Sequence, residues 1–287
     1  MRQIVIRGGG SLAGQVQIPP SKSHTLRAIF MGALSSGVSE IDGYLVSPDT
    51  QAMIRAVEQF GAKIVFVGDR LYIHGVGGKC LVPQEVIDCG NSGQVLRFVG
   101  AMAATLSGET YLTGDFSLRT NRSVAPLVSG LNQLGAMARS LHNPGYAPIV
   151  VRGPWTRMEA QIEGADSQPV SGLLLAAAAS QQPLSLKVRD PKELPWIDLT
   201  LYWLQKLKIP FQRKNYTEYT LFPRREPVEG FSLRIPGDWS SAAFPLAAAM
   251  VTRSSLSLHN VDVTDCQGDK QILHYLRAMG ACIEENC

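Results

Sequence analysis

Ile18-Pro-Pro-Ser-Lys-Ser23 opens a segment that returns three times, as Ile87-Asp-Cys-Gly-Asn-Ser-Gly93, Ile162-Glu-Gly-Ala-Asp-Ser167 and Ile235-Pro-Gly-Asp-Trp-Ser-Ser241. The leading isoleucines stand 69, 75 and 73 residues apart. A run of small apolar residues follows each opening, at 28–34, 98–106, 172–179 and 242–251. A second element recurs at a matching offset: Phe60-Gly61-Ala62, Leu134-Gly135-Ala136 and Met279-Gly280-Ala281, with Leu207-Lys208-Ile209 in that place in the third copy. A glycine after a helical pattern such as Met53, Val57 and Phe60 marks a helix C-terminus. β-rich pieces follow at 63–67 and 71–74, at 149–151 and at 219–222. Each copy therefore reads as strand, turn, helix, strand, helix and two closing strands. The period is too long for a solenoid and suits a compact α/β unit repeated about a shared core. Two separate elements at matched offsets argue against chance likeness among Ala- and Gly-rich helices. Ile283-Glu-Glu-Asn-Cys287 falls within the β portion of the fourth copy, so the sequence reads as C-terminally truncated.

Composition narrows the classes. The 287 residues allow one large domain or two ordinary ones, and 45% hydrophobic against 18% charged residues supports a buried core. The longest apolar runs fall far short of the roughly 20 residues of a membrane span. Met1–Gly10 carries Arg2 and Arg7 but no apolar stretch long enough for a signal peptide, so a soluble cytoplasmic protein is expected. A net charge of +3, with no basic run, speaks against nucleic acid and suits small anions gathered in a cleft. The five cysteines lack CxxC pairing and read as reduced thiols, and the five histidines are scattered, so no metal is expected.

The strand-to-helix turns carry the chemistry. Gly, Ser, Asn and Asp favour helix starts, where free N–H groups and the positive dipole end form an anion site. Four such turns at one period suggest several of these ends converging on a cleft. In the first, Ser21 or Ser23 caps the helix, Lys22 sits at its mouth, and Arg27 lies four residues past Ser23. Cations there oppose the helix dipole by about 0.3–1 kcal/mol, an arrangement that makes sense if an anion neutralises them. The alternative is that both side chains reach into solvent. The second turn repeats the pattern, with Asn91-Ser92-Gly93 followed by Arg97. Arg119 and Arg122 follow a third strand, and arginine suits a bidentate grip on phosphate or carboxylate, although Arg119 could merely pair with Asp115. Ser167 and Gln168 precede the third small-residue helix, where they could hold ligand hydroxyls, and Gln168 could equally be a cap.

Lys22-Ser23 with Arg27, Gly90-Asn91-Ser92-Gly93 with Arg97, Leu112-Thr113-Gly114-Asp115 leading to Arg122, Ser167-Gln168, Gly237-Asp238 with Ser240-Ser241, and Gln267-Gly268-Asp269 together resemble the 5-enolpyruvylshikimate-3-phosphate synthase family. The likeness runs over nearly the whole chain in unbroken motif order. Lys-Ser-x-x-x-Arg, and the lack of cysteine between Asp115 and Arg122, set it apart from the related UDP-N-acetylglucosamine enolpyruvyl transferases. The resemblance implies an α/β fold of repeated βαβαββ units in two inverted-barrel-like domains, the second incomplete here. One domain would span residues 14–230. The other would draw on residues 1–13 and 231–287, with one unit present and about two missing.

The implied enzyme is a cofactor-free transferase of aromatic amino-acid biosynthesis. It moves the enolpyruvyl group of phosphoenolpyruvate to the 5-hydroxyl of shikimate 3-phosphate and releases phosphate. The resemblance makes Lys22 catalytic and has Lys22, Ser23, Arg27, Ser167 and Gln168 hold shikimate 3-phosphate. Lys22, Gly93, Arg122 and Gln168 would hold phosphoenolpyruvate. It implies a monomer with no metal, nucleic-acid or membrane partner. Four departures stand out: Gln94 where the family has Thr, Asp166 where Ser is frequent beside the 3-phosphate, and Glu193 and Trp196 where many members have Ser and Tyr. Arg122 aligns only with one inserted residue, so Arg119 stays a rival. The family's Asp general base, its Lys/Glu pair and two phosphoenolpyruvate-binding arginines would lie beyond residue 287, so the chain alone is expected to be inactive. Two alternatives remain: a shikimate-3-phosphate-binding domain without turnover, and an enolpyruvyl transferase with another acceptor.

Overall fold

The structure, a computed structural model, describes residues 9–285; the expectations for residues 1–8, 286 and 287 lie outside it. The chain divides into two compact units, one of residues 22–235 and one that joins residues up to Ser21 with those from Pro236 onward.

Strand β1 (Ala13–Gln17) precedes helix α1 (Lys22–Leu34), β2 (Val38–Asp42), α2 (Pro48–Gln59), β3 (Lys63–Val67) and β4 (Arg70–His74). The second copy contains β5 (Ile87–Asp88), α3 (Gly93–Ala103), β6 (Glu109–Thr113), α4 (Phe116–Thr120), α5 (Ala125–Gln133), β7 (Met137–Ser140) and β8 (Ile149–Arg152). The third contains β9 (Glu159–Glu163), α6 (Ser167–Ser180), β10 (Leu184–Arg189), α7 (Leu194–Lys206), β11 (Phe211–Lys214) and β12 (Glu218–Leu221). A short β13 (Ser232–Arg234) closes the larger unit, and α8 (Trp239–Val251), β14 (Ser255–His259) and α9 (Ile272–Ala278) follow in the smaller one.

The larger unit holds three four-stranded sheets of one design: β5-β6-β8-β7, β9-β10-β12-β11 and β13-β2-β4-β3. In each, a parallel pair is followed by two antiparallel strands. The expected six-element repeat is thus present three times, with one change of partner. The strand before α1 does not enter the first sheet. β1 pairs in parallel with β14, Ala13 opposite Ser255, and β13 takes its place beside β2, Ser232 opposite Glu40. Residues 14–21 therefore group with the smaller unit and 231–235 with the larger, which moves the expected boundaries at 13/14 and 230/231 to 21/22 and 235/236.

The small-residue helices form the centre of the larger unit. Residues 24–34 of α1, 95–103 of α3 and 169–179 of α6 are all buried, and the three helices pack on one another. Helices apolar all round have no face to offer water, so they belong inside. Phe30 and Phe98 meet edge to face with ring centroids 5.8 Å apart.

The second recurring element is one helix ending made four times. Gly61, Gly135 and Gly280 take φ of +100°, +89° and +95°, and the next residue donates back to the carbonyl five positions earlier: Ala62 to Val57, Ala136 to Leu131, Ala281 to Leu276. Lys208 adopts the same left-handed turn at φ +54°, and Ile209 donates to Leu204 at 2.8 Å. The weakest sequence match thus has the same backbone. A residue with a Cβ tolerates this conformation at a cost of about 1–2 kcal/mol, whereas glycine adopts it freely.

The smaller unit is built on a short core of Ile18, Trp239, Ala242 and Leu273. Asp238 caps α8 through Ser241 N at 2.8 Å, and the buried Gln267 bridges Trp239 N and the Gly237 carbonyl. Most of α8 is not buried: Phe244 and Val251 are 78% and 82% exposed. Among the described residues, no helix is long and apolar enough to cross a membrane.

Candidate anion-binding site

The starts of α1, α3 and α6 are laced together by the side chains that the repeat placed there. Ser92 caps α3 by accepting from Val95 N, and Asp166 caps α6 by accepting from Gln168 N at 2.9 Å. Ser167 and Gln168 are therefore the first two residues inside α6 and do not precede it, and the cap is Asp166, not Gln168. Arg97 lies one turn into α3 and is only 3% exposed. Its guanidinium donates to the carbonyls of Gly93 (3.2 Å) and Ser123 (2.6 Å) and pairs with Asp166 at 3.2 Å. Burial draws the Arg97 pKa below its usual value; the Asp166 charge opposes that shift and nearby Arg122 adds to it. A buried cation of this kind is tolerable only with a carboxylate beside it.

Gly93 lets these groups approach the start of α3 closely, with no room left for a side chain. A Cβ there would stand 2.7 Å from Arg97 Nη1, 3.0 Å from Gln168 Oε1 and 3.5 Å from Arg122 Nη1. Two guanidinium groups and an amide from three separate stretches thus surround one missing side chain. Two polar atoms at this place, Arg97 Nε and Gln168 Oε1, are buried with no hydrogen-bond partner among the described residues. Buried polar atoms are nearly always satisfied, so the Arg97 Nε donor, left without an acceptor, is the atom here that a ligand oxygen would satisfy. Arg122 is held there by donating to the Asn91 carbonyl at 3.0 Å. Its rival Arg119 turns to Thr113 Oγ1 at 3.2 Å, not to Asp115. Asp115 caps α4 and accepts from the Asn91 side chain, a bond that holds its pKa below the usual value.

Arg27 does not reach into solvent: it is 3% exposed. It donates to Thr200 Oγ1 from Nε and Nη2 (3.1 and 2.8 Å), to the Ser23 carbonyl (3.1 Å) and to the Trp196 carbonyl (3.3 Å), above the Phe98 ring. Thr200 in turn donates to Ser171 of α6 at 2.8 Å. Arg27 therefore ties α1 to α7 and, through Thr200, to α6. Lys22 is half exposed and lies 3.7 Å from Asp49. Ser23 is partly exposed at the start of α1. Ser167 is 2% exposed, and both its amide (3.1 Å) and its hydroxyl (2.9 Å) donate to Glu193.

Sequence reasoning left three members of this cluster unassigned. Arg97 repeats the spacing that singled out Arg27, four residues past the helix start, and that spacing was signal enough to find it. Asp166 stood out only as a departure from the family, and its charge is matched by Arg97. Glu193 comes from a separate segment, and no local pattern pointed to it.

A model of the EPSP synthase (3-phosphoshikimate 1-carboxyvinyltransferase) family matches residues 6–287. The chain belongs to this family. The 3-phosphoshikimate 1-carboxyvinyltransferase of Chlamydia caviae is 41% identical over 275 residues, covering 95% of this chain and 61% of that protein. That of Chlamydia pneumoniae is 41% identical over 276 residues, with coverage of 96% and 61%. The EPSP synthase structure from Acinetobacter baumannii is similar with a TM-score of 0.81 at 25% identity, over 95% of this chain and 60% of that one. The chain thus spans about three fifths of the length of the family members it matches.

Proposed function

We propose that the protein transfers the enolpyruvyl group of phosphoenolpyruvate to the 5-hydroxyl of shikimate 3-phosphate, releasing phosphate, and that residues 22–235 hold both anions. The observation that carries this reading is the gathering of Arg97, Arg122 and Gln168 against Gly93, whose missing side chain leaves the two guanidinium groups side by side. Such a pair suits a small, densely charged anion, because arginine matches carboxylate or phosphate through paired N–H groups. Phosphoenolpyruvate is that anion. Lys22, half exposed at the start of α1, supplies a mobile ammonium that can leave Asp49 for a substrate oxygen.

The chemistry asks mainly for clamping and orientation. The acceptor hydroxyl adds to C2 of phosphoenolpyruvate while a proton goes to the terminal methylene, giving a tetrahedral ketal with a new methyl group. Loss of phosphate and of a methyl proton then restores the double bond as the enol ether. Both substrates are polyanions, so holding them together is the main barrier, and fixed guanidinium groups in a dry setting offset it. The acceptor lies by the first turns of α1 and α6, within reach of Lys22, Ser23 and Gln168. The protein acts as a monomer in the cytoplasm, without cofactor or metal. Titration calorimetry tests the reading. Shikimate 3-phosphate is expected to bind, and Lys22→Ala to weaken it at least tenfold; unchanged affinity in that variant removes Lys22 from the site. Phosphate release from the two substrates together tests turnover separately.

A further inference from the structure

One side chain takes two of the bonds that Arg27 makes. Thr200 Oγ1 on α7 accepts from Nε at 3.1 Å and from Nη2 at 2.8 Å. A hydroxyl oxygen has two lone pairs and one proton. Both lone pairs are turned to the guanidinium, so the proton goes elsewhere. Ser171 Oγ on α6 lies at 2.8 Å, against 3.3 Å for the Trp196 carbonyl, and takes it. Thr200 is 0% exposed and Ser171 1%, so these bonds are closed to solvent. At its far end the guanidinium donates to the carbonyl of Ser23, the second residue of α1, at 3.1 Å. One chain of bonds thus runs from α6 through α7 to α1. Its two ends lie by the helix starts where the acceptor is placed, since Ser171 stands three residues past Gln168. A buried guanidinium carries a desolvation penalty that apolar side chains of similar size avoid. Directed bonds of fixed length do what apolar packing does not, because they hold the three helices at one spacing.

We infer that Thr200 is a positioning residue: the Ser171–Thr200–Arg27 relay sets the separation between Lys22 and Ser23 at the start of α1 and Gln168 at the start of α6, and with it the affinity for the acceptor. Thr200 touches no substrate and acts only through Arg27 and Ser171. This rests on the proposed function and adds to it a residue of α7, a helix outside that reading. The cluster at Gly93 draws on Arg97 and Arg122, which the relay does not touch, so phosphoenolpyruvate depends on it less.

The test compares the unmodified chain with Thr200→Ser, Thr200→Val and Ser171→Ala, titrated calorimetrically with shikimate 3-phosphate and with phosphoenolpyruvate well below each melting temperature. Thr200→Ser keeps the hydroxyl and should bind both ligands within twofold of the original. Thr200→Val keeps the shape but strands two guanidinium donors. It should weaken shikimate 3-phosphate at least tenfold, as expected for a lost hydrogen bond to a charged group, and phosphoenolpyruvate less than threefold. Ser171→Ala cuts only the α6 end and should weaken shikimate 3-phosphate about threefold; it carries the test if Thr200→Val does not fold. A residue that merely holds the fold together lowers the melting temperature without separating the two ligands. Equal losses for both ligands overturn the inference, as does unchanged shikimate 3-phosphate binding in every folded variant. The ligand-free amide resonances of Ser23 and Gln168 give a reading independent of substrate: Thr200→Val should shift both, and Thr200→Ser neither. If they shift in this way while the unmodified chain fails to bind shikimate 3-phosphate, the relay stands and the proposed substrate falls. If the unmodified chain binds it tightly and no variant weakens it, the substrate stands and the relay falls.

Discussion

Gly93→Ala separates a role in folding from a role in binding. Gly93 is the first residue of α3 and its φ is not positive, so alanine can take the same backbone. Helix propensity favours the change by up to about 1 kcal/mol. Against this, the new methyl stands 2.7 Å from Arg97 Nη1, and that guanidinium is held by the Gly93 and Ser123 carbonyls and Asp166. A shift of a few tenths of an ångström relieves the contact, so net stability should change by less than about 1 kcal/mol. Binding should suffer far more. The methyl pushes on Arg97 and Gln168 and so displaces a guanidinium that would grip an anion oxygen. Losing one charge-assisted hydrogen bond costs about 1.5–3 kcal/mol, which is roughly 10- to 150-fold in affinity. Calorimetric titration with phosphoenolpyruvate reads that loss, with thermal melting as the control for folding. Shikimate 3-phosphate affinity should change by less than about threefold. A Gly93→Ala protein that melts normally and binds phosphoenolpyruvate within twofold of the original would refute the Gly93 cluster as its site.

Three further outcomes follow from the same geometry. Asp166→Asn keeps the α6 cap but removes the charge facing buried Arg97; with Asp166 one-third exposed, thermal melting should show a loss of about 1–3 kcal/mol, and no loss would mean that Arg97 is neutralised elsewhere. Lys208→Gly should raise stability by about 0.5–1 kcal/mol, seen as a higher melting temperature, because it relieves the left-handed strain at φ +54° in an exposed residue. Burial pushes the Cys80 thiol up to about 12 and that of Cys89 higher still, so both stay protonated at neutral pH. A thiol reagent should therefore label exposed Cys282 first and reach Cys80 and Cys89 only on unfolding.

What the sequence disclosed was whatever local chemistry repeats. The four helix endings were legible because a left-handed turn demands glycine, and the third copy looked weak only because Lys208 accepts the strain instead. The buried helices were legible from runs of alanine, glycine and leucine with no polar face. The exchange of β1 for β13 was not, since parallel pairing between strands so far apart in sequence, Ser232 with Glu40 and Ala13 with Ser255, leaves no local mark. Lys22, Gly93, Arg122 and Gln168 were singled out by motif order and by their likeness to a known family. Arg27 stood out by its spacing, but its bonds to Thr200 and the Trp196 carbonyl had no local mark in the sequence. Glu193 stood out as a departure from the family, but its pairing with Ser167, 26 residues away on another helix, left no local mark.

The claim that three helix starts form one site is tested most directly by the backbone amide resonances of Ser23, Gly93 and Gln168 during titration with shikimate 3-phosphate and phosphoenolpyruvate. One residue comes from each of the three repeats. The account predicts that all three amides move together along a single saturation curve. Shifts confined to one of them, or three curves with unrelated midpoints, would contradict it.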